Sequence, residues 1–525
     1  MGNRVIVVGA GLAGMAAAIA ACEEGAGVTL IDRGSVGLGT NSAISNGFFT
    51  GTTDSYGADD YVKDTMEIGR YLNRKRTVET VAEKAPGVMA IMRGLGVPMN
   101  ISDSLYAVRP PNARTIPGVT LVKQLAAAAG ARREIHIVRD LYVTGIMAAE
   151  GTVTGVEGID KEGRDIVFNG DSVVLATGGA GAVYLRNDNQ KNIMGQGYCL
   201  AARAGLALMD MEFVQFFPIV VSGEHLPDTI VYPPFHKEVR LVNSAGENLI
   251  EKYGLGSLSE AAMKRRDELS ILLCGEAGKG AVLLDYRRVP DELWGEHPLS
   301  LLSLIKHDFK TKLLPVSPAV HFMMGGVRTD EDCRTGLAGL FACGEVSWGL
   351  HGANRRGGNA LMECAVFGTT AGRNAAHFNG QGRGRSASAQ AEKGRQADRG
   401  AIRKGAQRTL SDIRHEIRRA AWDHAGVVRS EQGLKKGLEI TARIGSELAG
   451  IIPEGRRQVC LKADLDAALF TLRAILTASL GRKESRGSFY RSDFPVEDDA
   501  NCKKNSSLTY DRANDTFAST YVETV

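Results

Sequence analysis

The chain has 525 residues, 44% hydrophobic and 23% charged, which is the composition of a globular protein with roughly two to four domains. Its 63 basic and 60 acidic residues leave a net charge of +3, which argues against a nucleic-acid-binding surface over the whole molecule. Its eight cysteines form no CxxC pair, which argues against an iron–sulfur cluster or a metal site and indicates free thiols in a reducing compartment.

The start of the chain shows no signal-peptide pattern, because an apolar strand begins by Arg4 without a basic region or cleavage site. No apolar run reaches the roughly 18 to 20 residues that a membrane span needs. We therefore expect a cytoplasmic protein with no direct membrane insertion.

The N-terminal residues have the pattern of a dinucleotide-binding unit. An apolar run precedes Gly9, Gly11 and Gly14 in GxGxxG spacing, and an alanine-rich helix and a second apolar run that ends at Asp32 come after them. Glycines at this spacing permit a tight turn, and the N-terminus of the helix that follows binds a pyrophosphate. Asp32 has the offset of a carboxylate that accepts a hydrogen bond from a ribose hydroxyl.

A loop of small residues comes next, at residues 39–47. Its hydroxyls and amides suit hydrogen bonds to a phosphate or a ring edge, although a solvated turn has the same composition. Residues 56–95 and 114–129 have helical patterns. Two alternating runs, 135–147 and 153–168, predict an added antiparallel ribbon.

The middle of the chain interrupts the nucleotide-binding pattern. Residues 173–180 predict a buried strand that ends in a glycine turn, a third contact of a nucleotide-binding sheet. Residues 212–326 have mixed short segments, which predict an inserted capping domain between residues 1–211 and 327–379. The composition of residues 380–405, mainly Gly, Arg, Gln, Ala and Ser, predicts a flexible basic linker.

Residues 406–525 predict a C-terminal helical domain and tail, with helical periodicity at 413–426, 430–448 and 461–480. The predicted fold class is therefore α/β. A Rossmann-like domain carries an inserted α+β capping domain and this C-terminal helical domain.

The segment 340–372 predicts a short buried strand, a loop of small and charged residues, and an apolar helix that begins near Asn359. This order places Arg355 and backbone N–H groups at a helix N-terminus, where the partial positive charge favours an anion or an electron-rich ring edge. Glycines in the same loop let the backbone approach a flat ligand. Taken alone, this pattern is also typical of a glycine-rich loop that precedes a core helix and binds no ligand.

The string HGANRRGGNALMECAVFG in this segment resembles the one that closes over FAD in the fumarate reductase and succinate dehydrogenase flavoprotein family, which includes the L-aspartate oxidases. The ATGG string at 176–179 and the ESRG and RSDFP strings near residues 484–495 are also similar to this family, so the resemblance spans most of the chain. It implies a Rossmann-like FAD-binding domain.

The resemblance also implies which residues bind FAD. In many members of the family, a histidine in the loop 39–47 bonds covalently to the flavin; Asn41 stands at that position, so we expect noncovalent FAD. The expected FAD-binding residues are Gly9, Gly11, Gly14, Asp32, Arg33, Thr40, Asn41, Ser42, Asn46, Gly47, Ala176, Thr177, Gly178, Gly344, Glu345, Arg355, Gly358, Ala360 and Leu361.

The family's chemistry passes a hydride between flavin N5 and a carbon–carbon bond beside a carboxylate. Arg355 and His321 match the residues that bind the substrate carboxylate, and the planar fork of an arginine suits that task. Arg266 matches the proton-donating arginine, with adjacent Arg265 as the alternative register. Because a guanidinium holds its proton tightly, the donor role rests on the resemblance alone, and a solvated charge run has the same pattern.

The chain departs from the family at two places. Phe217 stands where the family has a histidine for a second substrate carboxylate. For the family's threonine–glutamate pair, counting forward places Thr229 at the threonine, whereas counting back places Val231 and Tyr232 at the pair. Neither count restores the glutamate. The expected substrate-binding residues are Phe217, Thr229, His321 and Arg355.

We therefore expect an FAD-dependent oxidoreductase that acts on the CH–CH group of a small carboxylic acid, with a non-fumarate enoate as substrate. A separate electron-transfer protein, iron–sulfur or similar, is the expected partner. Two alternatives stay open. One is a flavin electron-transfer subunit of a multi-subunit complex with an inert cap pocket, and the other is an amino-acid oxidase similar to the L-aspartate oxidases.

Overall fold

The computed structural model describes residues 3–296, 298–302, 305–379 and 408–524, and the backbone of residues 392 and 393. Its helices in chain order are α1 (Leu12–Glu23), α2 (Asn41–Ile44), α3 (Ala58–Ile68), α4 (Lys75–Gly94), α5 (Pro117–Gly130), α6 (Gln196–Arg203), α7 (Leu249–Lys252), α8 (Leu258–Lys264), α9 (Arg266–Ala277), α10 (Leu299–Leu302), α11 (Asn359–Ala376), α12 (Leu410–Ala425), α13 (Glu431–Ala449), α14 (Gly455–Gly481) and α15 (Asp499–Cys502).

The strands in chain order are β1 (Arg4–Val8), β2 (Gly27–Ile31), β3 (Phe48–Thr50), β4 (Met99–Ser102), β5 (Leu105–Val108), β6 (Ile135–Val138), β7 (Tyr142–Ala149), β8 (Thr152–Ile159), β9 (Asp165–Asn169), β10 (Ser172–Leu175), β11 (Leu208–Met209), β12 (Val214–Val221), β13 (Arg240–Asn243), β14 (Val282–Asp285), β15 (Leu314–Met323), β16 (Gly326–Val327), β17 (Leu340–Ala342), β18 (Glu392–Lys393), β19 (Val428–Arg429), β20 (Tyr490–Arg491), β21 (Asn505–Asp511) and β22 (Thr516–Val522).

A parallel sheet of short apolar strands forms the centre of the nucleotide-binding part. Its order is β17-β10-β1-β2-β6, and every neighbouring pair is parallel. Helices α1 and α11 pack against each other beside it. Residues Val5, Ile6, Val7 and Val8 of β1 are buried, so this part of the strand must be apolar. The chain leaves β1 toward β2 and returns on its other side as β10, which creates a crevice at the carboxyl end of β1 where such sheets bind ligands.

The ribbon prediction was wrong for its first part. Residues 135–138 form β6, which pairs with β2 in parallel, and the antiparallel ribbon consists of β7, β8 and β9. Alternation of apolar and polar residues indicates that one face of a strand is buried, but it does not indicate whether the neighbouring strand is parallel or antiparallel. The small sheet β3-β5-β4 was not predicted from the sequence.

A second sheet covers the crevice. Its strands run in the antiparallel order β12-β15-β14-β13, and helix α9 packs on β12 and β15. These strands lie between residues 214 and 323, inside the range 212–326 that the sequence predicts for the capping domain; the boundaries themselves stay a prediction.

The predicted C-terminal helices correspond to α12, α13 and α14, and their apolar residues join the core of the nucleotide-binding part. The last residues, predicted as a tail, instead form the hairpin β21–β22, in which β21 pairs with β11. The predicted linker lies outside the described residues, except that the backbone of β18 pairs with β9. In the described part of the chain, no helix is long and apolar enough to span a membrane.

Buried charges hold the C-terminal segment to Glu212, two residues before β12. The guanidinium of Arg482 is fully buried, and it donates to Glu212 at 2.7 Å and to Glu484 at 2.8 Å. Glu484 also accepts two hydrogen bonds, both at 2.9 Å, from the buried Arg486. Each charge therefore has an opposite partner inside the core.

Replacing Arg482 with methionine should strongly destabilise the protein. The change keeps an apolar stem but removes the cation that contacts Glu212, whereas Glu484 keeps both hydrogen bonds from Arg486. Breaking a buried pair in this way costs about 3–5 kcal/mol. Calorimetric unfolding of the purified protein measures the effect. The control is Arg265→Ala, which removes an exposed pair with Glu268 and should leave the midpoint almost unchanged. Equal midpoints for the two variants would contradict this assignment.

Candidate active site

One cavity of about 1090 Å³ lies between the parallel sheet, the cap and the loop that precedes α11. It brings together residues from all the segments in which the sequence places candidate site residues. Of the predicted site residues, those that line it are Gly9, Gly11, Asp32, Arg33, Thr40, Asn41, Ser42, Asn46, Gly47, Ala176, Thr177, Gly178, Phe217, Thr229, Arg266, His321, Gly344, Glu345, Arg355, Gly358, Ala360 and Leu361.

Glycine is required at the three positions of the GxGxxG motif for different physical reasons. Gly9 has a φ of +103°, and a Cβ there would lie 2.4 Å from the oxygen of Ala176. Gly14 is not part of the cavity wall; its Cβ would lie 1.8 Å from the oxygen of Gly9, so it permits close packing of helix and strand. At Gly11 a Cβ would meet no protein atom closer than 3.8 Å, so the missing side chain leaves room for a ligand.

Asp32 and Arg33 close one end of the cavity. The carboxylate of Asp32 accepts from the backbone N–H of Ala10 at 2.9 Å and of Gly34 at 2.8 Å, while burial raises its pKa. The guanidinium of Arg33 donates to both oxygens of Asp464 on α14, at 2.8 and 2.7 Å. Arg33 therefore ties the cavity wall to the C-terminal helices.

The loop at 39–47 contributes a dense set of polar groups. Ser42 Oγ accepts from the N–H of Leu12, at the start of α1, at 3.2 Å. Asn41 donates to Asn189 Oδ1 at 2.6 Å and accepts from the N–H of Gln190 at 3.0 Å. Two further polar groups face the same space: Thr177 Oγ1, which is buried without a hydrogen-bond partner in the described structure, and Glu345, whose pKa burial raises to about 7.

Arg355 presents part of its fork to the cavity. Its Nε donates to Gln215 Oε1 at 3.0 Å, and its guanidinium lies 4.9 Å from the ring centre of Phe322. Its Nη1 donates to the oxygen of Arg356 at 3.3 Å, whereas Nη2 has no hydrogen-bond acceptor among the described residues, which leaves a donor for a ligand. Burial, and then the neighbouring charge of Arg266, lower the pKa of Arg355 to about 9, so it remains a cation at neutral pH.

The structure separates the two candidate arginines at the start of α9. Arg266 lines the cavity and donates to Asn354 Oδ1 at 3.2 Å and to the oxygen of Arg355 at 2.9 Å. Its Nε is buried without a partner in the described part of the chain, and burial lowers its pKa. Arg265 points away and donates to both oxygens of Glu268, at 2.7 and 2.6 Å.

His321 stands at the boundary between polar and apolar walls. Its Nδ1 lies 2.7 Å from Asp188 Oδ2, and its ring meets the edge of Phe217 at a centroid distance of 5.9 Å. Phe217 in turn packs against Tyr232 at 6.3 Å. Thr229 and Tyr232, which the two alternative registers single out, both line the cavity.

The part of the cavity wall near Phe217 is mainly apolar. Tyr286, Leu302 and Ile305 belong to the same apolar cluster as Phe217 and also line the cavity. Of the basic residues nearby, Arg240 is bound to Asp285 at 3.2 Å, whereas His236 lines the cavity. His225 and Lys237 are not among the lining residues, so His236 is the basic side chain of this segment that could replace the family's histidine.

Sequence reasoning missed two groups of lining residues. The first is residues 188–193, where a run of polar side chains before the helix at Gln196 was the only signal. The second consists of apolar side chains that belong to no motif: Pro298, Leu299, Leu301, Leu302 and Ile305. In the described part of the chain, no cluster of three or more His, Cys, Asp or Glu side chains could hold a metal ion.

The comparisons with known proteins agree with this geometry. The family model described as an FAD binding domain matches residues 4–361, and the model described as the fumarate reductase flavoprotein C-terminal region matches residues 414–525. The chain belongs to the fumarate reductase and succinate dehydrogenase flavoprotein family. It is a flavoprotein oxidoreductase, and FAD is its cofactor.

Curated relatives of this flavoprotein carry two kinds of name. It is 31% identical over 517 residues to one of the subunits of the fumarate reductase (CoM/CoB) from Methanothermobacter marburgensis, with 94% of each chain covered. It is 29% identical over 524 residues to the L-aspartate oxidase of Agrobacterium fabrum, with 96% of this chain and 93% of the relative covered. Membership of the family therefore leaves the substrate open.

Solved structures show the same fold. A variant of Escherichia coli quinol fumarate reductase FrdA matches 100% of this chain and 97% of its own with a TM-score of 0.86 and 25% identity. Mycobacterium smegmatis Sdh1 matches 100% of this chain and 94% of its own with a TM-score of 0.86; at 24% identity, this likeness shows the fold alone. The predicted α/β architecture, with cap and C-terminal helices, is confirmed.

The residues of this flavoprotein suit FAD. The open space at Gly11, the polar loop at 39–47 and the unpartnered Thr177 Oγ1 all face one cavity. The first turn of α1 contains no acidic residue, so its partial positive charge is available to a pyrophosphate.

The bound FAD should be dissociable. The side chain of Asn41 is a carboxamide, which cannot form the covalent bond that a histidine forms, and it is already engaged with Asn189 and Gln190. Acid precipitation of the purified yellow protein should leave the flavin in the supernatant. Flavin that stays with the denatured pellet would contradict the assignment of this loop.

Proposed function

We propose that this flavoprotein reduces, or forms, a carbon–carbon double bond next to a carboxylate, and that its substrate is a monocarboxylic enoate with an apolar substituent. The observation that carries the proposal is the pairing of Arg355 and His321 with an apolar wall at Phe217 in one cavity. FAD, when bound, supplies a hydride at N5 for such a reaction. The protein would work in the cytoplasm.

Arg355 is the proposed carboxylate clamp. It is a buried cation with an unused donor toward the cavity, and a charged hydrogen bond in a buried site is stronger and more directional than one in water. Gln215 fixes the guanidinium through its Nε and also donates to the oxygen of Arg355 at 3.1 Å. The clamp is therefore rigid before substrate binds.

His321 is the proposed second ligand of the same carboxylate. It lies on β15, a strand of the cap sheet. Its side chain is 26% exposed, so a ligand can reach it. With Nδ1 turned to Asp188, Nε2 is the nitrogen left for a substrate oxygen.

Arg266 is the proposed proton donor. Its guanidinium lines the cavity, its Nε lacks a partner in the described structure, and burial lowers its pKa, which is the direction that favours release of a proton. Arg265 is not proposed for this role, because its Nε and Nη2 donate to Glu268 and its Nη1 donates to the oxygen of Gly254.

The apolar wall would determine which substituent the substrate carries. Phe217 is 9% exposed and stands beside His321, so the part of the substrate beyond its carboxylate would meet an aromatic ring. Burial of an aryl or alkyl group there would stabilise the complex by roughly 1.5–3 kcal/mol. A second carboxylate would gain no such contact.

The electron partner is proposed to be a separate protein, iron–sulfur or similar. The names of several relatives describe them as subunits, which supports an assembly in which this chain carries the flavin. A second candidate function, oxidation of an amino acid, is favoured by the L-aspartate oxidase relatives. Hydrogen peroxide formed with aspartate would establish this second function and contradict the first.

The proposal is tested by reoxidation of the reduced flavoprotein. The FAD-loaded protein is reduced with a dye under anaerobic conditions and mixed with crotonate, cinnamate, fumarate, or the corresponding amides, which lack the carboxylate. We expect rapid reoxidation by at least one monocarboxylic enoate and none by the amides. Reoxidation by no acid in the panel would contradict an enoate reductase and favour a role in electron transfer alone.

A further inference from the structure

The segment between β10 and α6 supplies an acidic side chain to the substrate half of the cavity. Asp188 lines the cavity, and its Oδ2 lies 2.7 Å from Nδ1 of His321. Both side chains are largely buried, with 9% of Asp188 and 26% of His321 exposed. No motif in the sequence predicts this pair.

The backbone holds the two residues in fixed relation. The N–H of Asp188 donates to the oxygen of Val320 at 3.2 Å, and Asn187 forms a parallel bridge with Val320, next to His321 in the chain. Asn189 donates from Nδ2 to Asp188 Oδ1 at 3.1 Å. Both oxygens of the Asp188 carboxylate are thus engaged, and its orientation is set by strand β15 itself.

The same hydrogen-bond network reaches the loop at residues 39–47. Asn189 Oδ1 accepts from Asn41 at 2.6 Å, and the N–H of Gln190 donates to Asn41 Oδ1 at 3.0 Å. A continuous series of side chains therefore runs from Asn41 through Asn189 and Asp188 to His321. It links the wall that suits FAD to the residue proposed to meet the substrate.

Two contacts fix the His321 ring. A carboxylate oxygen can only accept, so the hydrogen in the contact with Asp188 belongs to Nδ1, and Nε2 is left for a ligand. The ring of Phe217, whose centre lies 5.9 Å from that of His321 at an interplanar angle of 62°, limits rotation of the imidazole. A carboxylate behind a histidine selects its tautomer and orientation in this way in many enzyme and metal sites.

We propose that Asp188 is a positioning residue for substrate binding, which acts by holding His321 with Nε2 toward the substrate carboxylate. This inference rests on the proposed function, because it takes a carboxylate as the ligand of His321. Although Asp188 lines the cavity, both of its carboxylate oxygens are engaged by protein groups and are not offered to the substrate. Its effect must therefore pass through His321, and this requirement makes the inference testable.

The test is a double-mutant cycle on ligand binding rather than on turnover. Calorimetry measures the Kd of 3-phenylpropanoate, a saturated acid, for the FAD-loaded wild type, Asp188→Ala, His321→Ala and the double variant. We expect a roughly tenfold weaker Kd in Asp188→Ala, near the lower end of the loss seen when a carboxylate behind a ligand histidine is removed. In the His321→Ala background, removal of Asp188 should change the Kd less than twofold.

The outcomes separate the inference from the function that it extends. Equal effects of Asp188→Ala with and without His321 would overturn the inference, since a merely structural role does not depend on the histidine. Absence of 3-phenylpropanoate binding to the wild type would also overturn it. A non-additive cycle in a protein that reduces no enoate would support the inference and contradict the proposed reaction. If Asp188→Ala does not fold, Asp188→Asn replaces it in the same double-mutant cycle.

Discussion

Replacing Arg266 with alanine should lower kcat and kcat/KM together by about 10²–10⁴, the range that a positioned proton donor contributes. A group used only in the transition state changes both constants equally, because it does not hold the substrate in the ground state. The measurement is steady-state reduction of the best enoate with a reduced dye as donor.

Loss of the proton donor must be distinguished from a second effect of the same substitution, the displacement of Arg355. Arg266 also donates to Asn354 and to the oxygen of Arg355, so its removal could loosen the carboxylate clamp. A loosened clamp would raise KM, whereas loss of the proton donor lowers kcat at saturating substrate. The FAD content of the variant should equal that of the wild type, which confirms that the cavity is intact.

The matched control is Arg265→Ala. This residue precedes Arg266 in the chain and carries the same charge, but its guanidinium is directed outward to Glu268. We expect this variant to keep wild-type kcat and KM. Full activity in Arg266→Ala, or an equal loss in Arg265→Ala, would show that the proton comes from another group.

The wild type should prefer cinnamate-like or crotonate-like acids to fumarate by at least about tenfold in kcat/KM, which corresponds to ~1.4 kcal/mol. With one carboxylate on Arg355 and His321, the second carboxylate of fumarate would face the ring of Phe217. A buried anion without a partner costs several kcal/mol, whereas an apolar group gains free energy from burial there.

Phe217→His should reverse the order by supplying a donor to the second carboxylate. The control is Phe217→Leu, which keeps an apolar wall and should keep the preference for monocarboxylic acids. If the wild type prefers fumarate tenfold, another cation has replaced the family's histidine. His236 is the first candidate, because it lines the cavity and Arg240 is already bound to Asp285.

The local parts of the FAD site could be predicted from the sequence because each is determined within one short segment. The spacing of Gly9, Gly11 and Gly14 predicts a strand–turn–helix, and the structure shows this at β1 and α1. The loop before α11 was equally clear, since its glycines and Arg355 lie directly before an apolar helix. Helical periodicity likewise indicated α12, α13 and α14.

The contacts between distant segments could not be predicted in this way. Whether Arg265 or Arg266 enters the cavity depends on the direction of the first turn of α9, and adjacent residues differ there by about a quarter of a helical turn. The pairing of β6 with β2 depends on which strand lies beside it. Nothing in the local pattern of residues 505–522 identifies β11 as their partner.

By itself, therefore, the sequence determined the nucleotide-binding unit, its family resemblance and the types of residue around the site, because these depend on local spacing. Only the tertiary structure decided that Asp188 stands behind His321, that Arg33 is held by Asp464, and that Arg265 is directed outward. Each of these is a hydrogen-bonded contact between side chains whose positions are set by the packing of whole elements, and such packing leaves no periodic signal along the chain.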